Sequence, residues 1–266
     1  MKLTSSRFFQ NQTRTLVAAG FIAFGIAATP ASAMPIDKTL TVNVYVVCDD
    51  AGVNCASTGP TGNAYFATEV NKIWAQAGIS VGFNFVQFIN STAFSFMDDN
   101  VVGDGFGDLA ALYGTGGPSN STVDMFMTHS VAGVYGEGWF GLGGLLMSMD
   151  DVMAFNGGLG RIDTIAHELG HNFGLVQPAQ GGDAGGHSPT NTDYLMASGS
   201  NRLVPSTLND INPDGLGLDK LPADQIAYAR NSSLLRDVTV PEPEALALFA
   251  LGLAGLAAVR RRTVLN

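Results

Sequence analysis

The sequence predicts a mixed α/β (α+β) domain: a twisted mixed sheet, a central helix rich in histidine, and a C-terminal helix. Three observations support this. Runs with strand character alternate with runs at helical spacing along the middle of the chain. Residues 34–239 are enough for one domain with a sizeable core. Both ends read as address labels outside that domain.

The elements follow in order. LTVNVYVV, residues 40–47, is β-branched and aromatic and predicts a strand. AYFATEVNKIWAQAG places Phe66, Val70, Ile73 and Trp74 near helical spacing and stops at Gly78. ISVGFNFVQF, 79–88, predicts a second strand. Residues 98–120 are rich in Gly, Asp, Asn and Ser and predict a loop with a short helix near 109–113. Asp98, Asp99, Asp104 and Asp108 are expected to decorate that loop. TVDMFMTHSV, 122–131, predicts a third strand, and the glycine-broken WFGLGGLLMSMD, 139–150, a fourth. Its GLGGLL, 141–146, reads either as an edge strand open to another backbone or as a strand crowded by neighbours. A helix is expected from about Asp163, and a last one over 221–235 with Pro222 near its start. The strand-then-helix order argues one layered domain.

The N-terminus carries Lys2, Arg7 and Arg14, an apolar run Leu16–Ala28, then PASA at 30–33. That layout predicts a secretory signal peptide over 1–33. The run has 13 residues, short of the roughly 20 that a spanning helix needs. At the other end, VPEP at 240–243 precedes the apolar segment 245–259 and Arg260, Arg261 and Arg262. This order resembles the PEP-CTERM sorting signal of Gram-negative bacteria. The resemblance implies a segment 240–262 transiently in the membrane, an exosortase-type processing partner, and a protein released from or displayed at the cell surface. A plain transmembrane anchor is the alternative, its arginines held on the cytoplasmic side.

Without these ends the domain keeps seven basic and 21 acidic side chains, a net charge of −14. Such a surface repels phosphate backbones and anionic lipid, so nucleic acid is not an expected partner. The only cysteines, Cys48 and Cys55, lie close together, and in an exported chain a disulfide is expected.

The chemistry sits in TIAHELGHNFGLVQ, residues 164–177. On a helix, His167 and His171 stack on one face, one turn apart, and can offer two nitrogens to one zinc ion. Glu168 can reach a metal-bound water without ligating the metal, as a general base. With four histidines and five glutamates in the chain, H-E-x-x-H arises by chance about once in a thousand such sequences. A zinc-dependent peptide hydrolase is therefore expected.

HELGHNFGL, with YLMA at 194–197, resembles the metzincin zinc peptidases, which read H-E-x-x-H-x-x-G-x-x-H and then a Met-turn. The resemblance implies a zincin fold over residues 40–235, Gly174 as the helix-ending turn and Met196 as the floor beneath zinc. Gln177 departs from it, standing where a third histidine belongs. In the matrixin branch that histidine is followed by serine and, a few residues on, leucine–methionine. His187, Ser188, Leu195 and Met196 keep this order. His187 is therefore the favoured third ligand, carried beyond an insertion of about ten residues, which costs little loop entropy. Asp183, Gln177 and His129 stand as alternatives.

Asp210, Asn212, Asp214 and Gly215 mimic the start of a calcium loop, but Leu221 occupies the position of the bidentate acid. A turn is expected there, with calcium the lesser alternative. Tyr194 is expected to pack. The functional reading is an exported zinc endopeptidase acting on protein or peptide. The rival is a zinc-binding surface or biofilm-matrix protein that cleaves nothing, in which Glu168 would have no task.

Overall fold

The computed structural model describes residues 33–97, 121–141, 143–183, 185–214, 217–238 and 249–253. The expected signal peptide, the 98–120 loop with its helix and aspartates, and most of the C-terminal sorting segment lie outside them. Among the described residues no helix is long and apolar enough to cross a membrane.

Strand β1 (Lys38–Cys48) is followed by helix α1 (Ala67–Ala75) and strand β2 (Ile79–Asn90). A short helix α2 (Thr92–Ser95) leads into β3 (Phe96–Met97). Then come β4 (Thr122–Thr128), β5 (Ser130–Val131), β6 (Gly136–Gly138) and β7 (Gly144–Ser148). Helices α3 (Met149–Gly158), α4 (Thr164–Asn172) and α5 (Ala223–Ala229) precede the final strand β8 (Arg236–Asp237). The main sheet runs β2-β1-β4-β7-β6, with β8 paired to the start of β1. Its first four strands are parallel and β6 is antiparallel to β7. The result is the mixed α/β layout that the sequence predicts.

Period-two patterning places the core. Val42, Val44 and Val46 of β1, Val123, Met125 and Met127 of β4, and Leu145 and Met147 of β7 face one cluster with α1 and α4. The intervening Tyr45, Phe126 and Leu146 face a smaller cluster on the other side. Both faces of the middle strands are covered, as parallel strands require. Trp74 of α1 meets Phe173, just past α4, edge to face with ring centroids 4.7 Å apart. The Cys48–Cys55 disulfide closes the loop leaving β1.

Four expectations are corrected. The strand expected over 139–150 spans only Gly144–Ser148, and Met149 already begins α3. It is not an edge strand, because β4 and β6 flank it. The strand expected over 122–131 breaks at His129, whose backbone N–H turns to Ser95. The last helix is shorter than 221–235, running Ala223–Ala229 with Pro222 as its N-cap. Its C-terminal turn ends at Arg230, whose side chain binds Asp37 and the Ala77 carbonyl.

The edge strand is GEG, 136–138, too short for a period-two signal. Its glycines serve an approach by a helix. A Cβ on Gly138 would lie 2.4 Å from the Glu168 carbonyl oxygen, and one on Gly136 would lie 2.9 Å from Glu168 Cγ. Helix α4 thus lies flat against β6. Gly138→Ala should lower unfolding stability by about 1–3 kcal/mol through overpacking against backbone. At Gly82 of β2 the nearest atom to an added Cβ is 3.8 Å away, so Gly82→Ala should be neutral or stabilise by about 0.4–1 kcal/mol. Denaturant melts of both variants check this; equal effects would mean that α4 does not press on β6.

Candidate metal centre

All nine residues of α4 are buried. Asp163 precedes the helix, and Gly174, at φ 81°, ends it in the left-handed conformation that glycine adopts freely. The end is closed by the Gly174 N–H to the His171 carbonyl (2.8 Å) and the Leu175 N–H to the Gly170 carbonyl (2.9 Å).

His167 and His171 come off one face of α4, and His187 reaches them from the following loop. The ring centroids are 4.8 Å apart for His167 and His171, 5.3 Å for His167 and His187, and 5.1 Å for His171 and His187. One nitrogen from each ring lies within 4.8 Å of the others. Around a tetrahedral zinc with bonds of about 2.1 Å the nitrogens stand about 3.4 Å apart, so the rings would close by no more than about 1.4 Å to take the ion. His167 Nδ1 donates to the Leu195 carbonyl at 2.6 Å, which leaves Nε2 bare. His171 Nδ1 is buried without a hydrogen-bond partner among the described residues. Burial depresses all three imidazoles: His167 well below its usual value, helped by Arg202, His171 to about 3, and His187 less strongly. They are therefore neutral near pH 7, the form that a metal takes. A fixed tautomer at His167 and three converging neutral imidazoles fit a zinc ion.

The alternatives for the third position are otherwise engaged. The Asp183 carboxylate accepts from the backbone N–H of Gly185 (2.9 Å) and of His187 (3.0 Å), which lowers its pKa and folds the loop carrying His187. Gln177 begins the Pro178–Gln180 turn, its carbonyl accepting from Gln180 N–H at 2.8 Å. His129 pairs with Asp150 at 3.0 Å, away from the cluster, and stacks on Phe96. Ser188 ties the loop down, its N–H donating to the Met196 carbonyl at 2.7 Å.

Met196 is fully buried beneath α4, and a Cβ on Gly170 would come 2.3 Å from its sulfur. Glycine between the two histidines is what lets the methionine sit there. Glu168 lies beside the imidazoles, and burial pushes its carboxyl up to about 7 despite a hydrogen bond from the Gly138 N–H. Cavities of about 350 and 340 Å³ open on Glu168 and His187 along β6.

Several supporting residues carried no recognisable sequence signal. Phe140 packs edge-on to His171 with centroids 4.9 Å apart, and a Cβ on Gly186 would strike its ring. Asn172 donates to the carbonyls of Trp139 (3.2 Å) and Gly144 (2.6 Å), joining the β6–β7 connection to α4. Arg202 touches His167 Nδ1, donates to the Leu195 carbonyl at 2.9 Å, and pairs with Asp163 at 2.9 Å, although its Nε–H is not aimed at that oxygen. Only the adjacent H-E-x-x-H could have drawn attention to Asn172, and nothing local marks Arg202. The acids of the supposed calcium loop are used elsewhere: Asp210 caps the Leu208–Asp210 turn and Asp214 pairs with Lys72 at 2.7 Å.

A family model described as the PEP-CTERM protein-sorting motif matches residues 239–262. No curated protein matches the chain. Among solved structures it is similar, at 12% identity and a TM-score of 0.42, to one titled as a chaperone–substrate complex, over 75% of this chain and 34% of that one. The chain therefore spans about a third of that structure's length. It is also similar to the archaemetzincin of Methanopyrus kandleri, at 12% identity, 73% and 95% coverage and a TM-score of 0.40. For the archaemetzincin of Archaeoglobus fulgidus, solved with malonate, the values are 12%, 71% and 99%, and 0.37. At that superposition these likenesses carry no chemistry, which rests on the residues above.

Asp219 lies fully buried beside Asp163, and burial together with that carboxyl raises its pKa well above the ordinary value. A raised folded-state pKa stabilises below the unfolded value of about 4 and loses that contribution as pH rises. Its φ of 54° also suits asparagine. The melting temperature of Asp219→Asn, relative to the parent, should therefore rise between pH 4 and pH 7. A flat or falling difference would mean that Asp219 is comfortably ionised.

Proposed function

We propose that this chain is an exported zinc-dependent endopeptidase, processed at its C-terminus by an exosortase-type enzyme and displayed at or released from the surface of a Gram-negative cell. The observation that carries the reading is the convergence of three neutral imidazoles beside a buried glutamate in an open cleft. The PEP-CTERM match supports the route of export.

His167, His171 and His187 would hold the ion, which would supply Lewis acidity and lower the pKa of a bound water. Glu168, with a pKa of about 7, would in its ionised form take the proton from the attacking water and then return it to the leaving amine. The Gly138 N–H holds that carboxylate against the sheet edge. An extended substrate adds to β6, the antiparallel edge beside the histidines, by backbone pairing. Phe140 packs on His171 and against Gly186, Asp183 folds the loop that carries His187, and Met196 supports the helix from below.

The purified mature chain should bind about one zinc and cleave an unstructured protein such as casein, with activity lost on chelation. Glu168→Gln should retain the metal and lose at least a hundredfold in turnover, the typical weight of a general base. His187→Ala should lose tight metal binding as well as cleavage, while Gln177→Ala should change neither. Retained zinc without turnover in the parent would favour the non-catalytic surface protein. Full zinc binding by His187→Ala would remove His187 from the ligand set.

A further inference from the structure

The two cavities that flank the histidines differ in chemistry. One is lined by Val134, Trp139 and Phe140 with the acids Glu137 and Glu168 and, among the described residues, no arginine or lysine. The other, of about 340 Å³, is walled by Arg161, Thr164 and Arg202 as well as by Glu168. Arg161 is 4% exposed and Thr164 1%. The Arg161 guanidinium lies over the Tyr135 ring at 4.5 Å and near Phe155 at 5.4 Å, and its Nη2 donates to the Gly199 carbonyl at 3.2 Å. Its Nε and the Thr164 hydroxyl have no hydrogen-bond partner among the described residues. Its nearest carboxylate, Asp163, is 3.8 Å away and is shared with Arg202 at 2.9 Å. Asp163 thus serves two buried guanidiniums, and Glu168 on the same cavity wall acts on both from farther away. The other acid of the cluster, Asp219, is held toward its neutral form by burial and by Asp163. A planar cation fixed on an aromatic ring, with spare donors beside a free hydroxyl, matches a carboxylate.

We propose that this cavity selects an acidic side chain of the bound peptide, with Arg161 as the specificity-determining residue and Thr164 as a second donor. The inference rests on the peptidase reading of the same site and adds to it the class of substrate. The mature chain carries a net charge of −14, so its overall field disfavours acidic peptides. A preference for one must therefore come from a local cation. Trp139 and Phe140 on one side and Arg161 and Arg202 on the other would also set the direction in which a peptide lies across the histidines.

The test separates binding from cleavage. A set of fluorescent octapeptides carries one glutamate, or one glutamine, moved through every position of an otherwise neutral sequence. Their binding to zinc-loaded Glu168→Gln chain is measured by anisotropy. One position should favour glutamate over glutamine by at least tenfold, and added salt should reduce that ratio. In the Arg161→Gln variant of the same chain the ratio should fall to about one, and in Arg161→Lys it should stay above one. If no position discriminates, or if Arg161→Gln keeps the full ratio while folded, the assignment is overturned. Should Arg161→Gln not fold, the salt-sensitive ratio of the unaltered cavity and the Thr164→Val variant, expected to lose part of it, decide the matter. Turnover by the parent is measured separately with the same peptides: its absence would sink the peptidase reading, whereas cleavage without a glutamate preference would sink only the acid-selecting cavity.

Discussion

The burial of helix α4 on every side is the constraint from which the rest of the architecture follows. A helix with all nine residues inside must present backbone to at least one neighbour at close range. Here that neighbour is β6, and Gly136 and Gly138 are the residues that permit it. On the opposite side Gly170 opens the space that Met196 fills. The same enclosure desolvates His167, His171 and Glu168, which keeps the imidazoles neutral and lifts the glutamate. Packing and electrostatics are thus one fact seen twice: the contacts that hold the helix are the contacts that set its chemistry.

Much of this was legible in the sequence, for physical reasons that differ by element. The strands of the sheet centre announce themselves through β-branched and apolar residues, because both of their faces are covered. The histidine pair on α4 is readable because a fixed spacing on a regular helix fixes geometry. His187 was readable only through the serine and the leucine–methionine that travel with it, since a loop has no period. What escaped was the short and the long-range. The three-residue β6 has no alternation to detect, and nothing local shows that its glycines accommodate a helix. The glycines of 141–146 left an edge strand and a crowded one open, because a short glycine run does not show how many neighbours it has. Arg202 lies 35 residues from the histidine that it touches, and no local pattern can report such a contact. Asp219 carried no sequence signal, and only its burial reveals its state.

The charged groups under the site form a small closed system. Asp163, Arg161, Arg202 and Asp219 are all buried, and each would be costly alone. Together they join the start of α4, the chain after Met196 and the segment that leads to α5. Arg202 in particular links Asp163 to the Leu195 carbonyl, the same oxygen that fixes the tautomer of His167. The Met196 turn and the start of α4 are therefore held in register by charge as well as by apolar contact, and a change at either end should be felt at the other.

The three imidazoles are not held alike. Two are embedded in a rigid helix, whereas His187 is only half-buried, at the end of a loop whose fold rests on one surface carboxylate and one aromatic clamp. Such a cluster has a hinge side and a fixed side. A metal ion would enter and leave by displacement of the loop, with the helix unmoved throughout. Its residence time would then be governed by the opening rate of residues 183–187, a few polar contacts at the surface, and would be largely independent of the global stability of the domain. Zinc would then come and go while the folded scaffold persists.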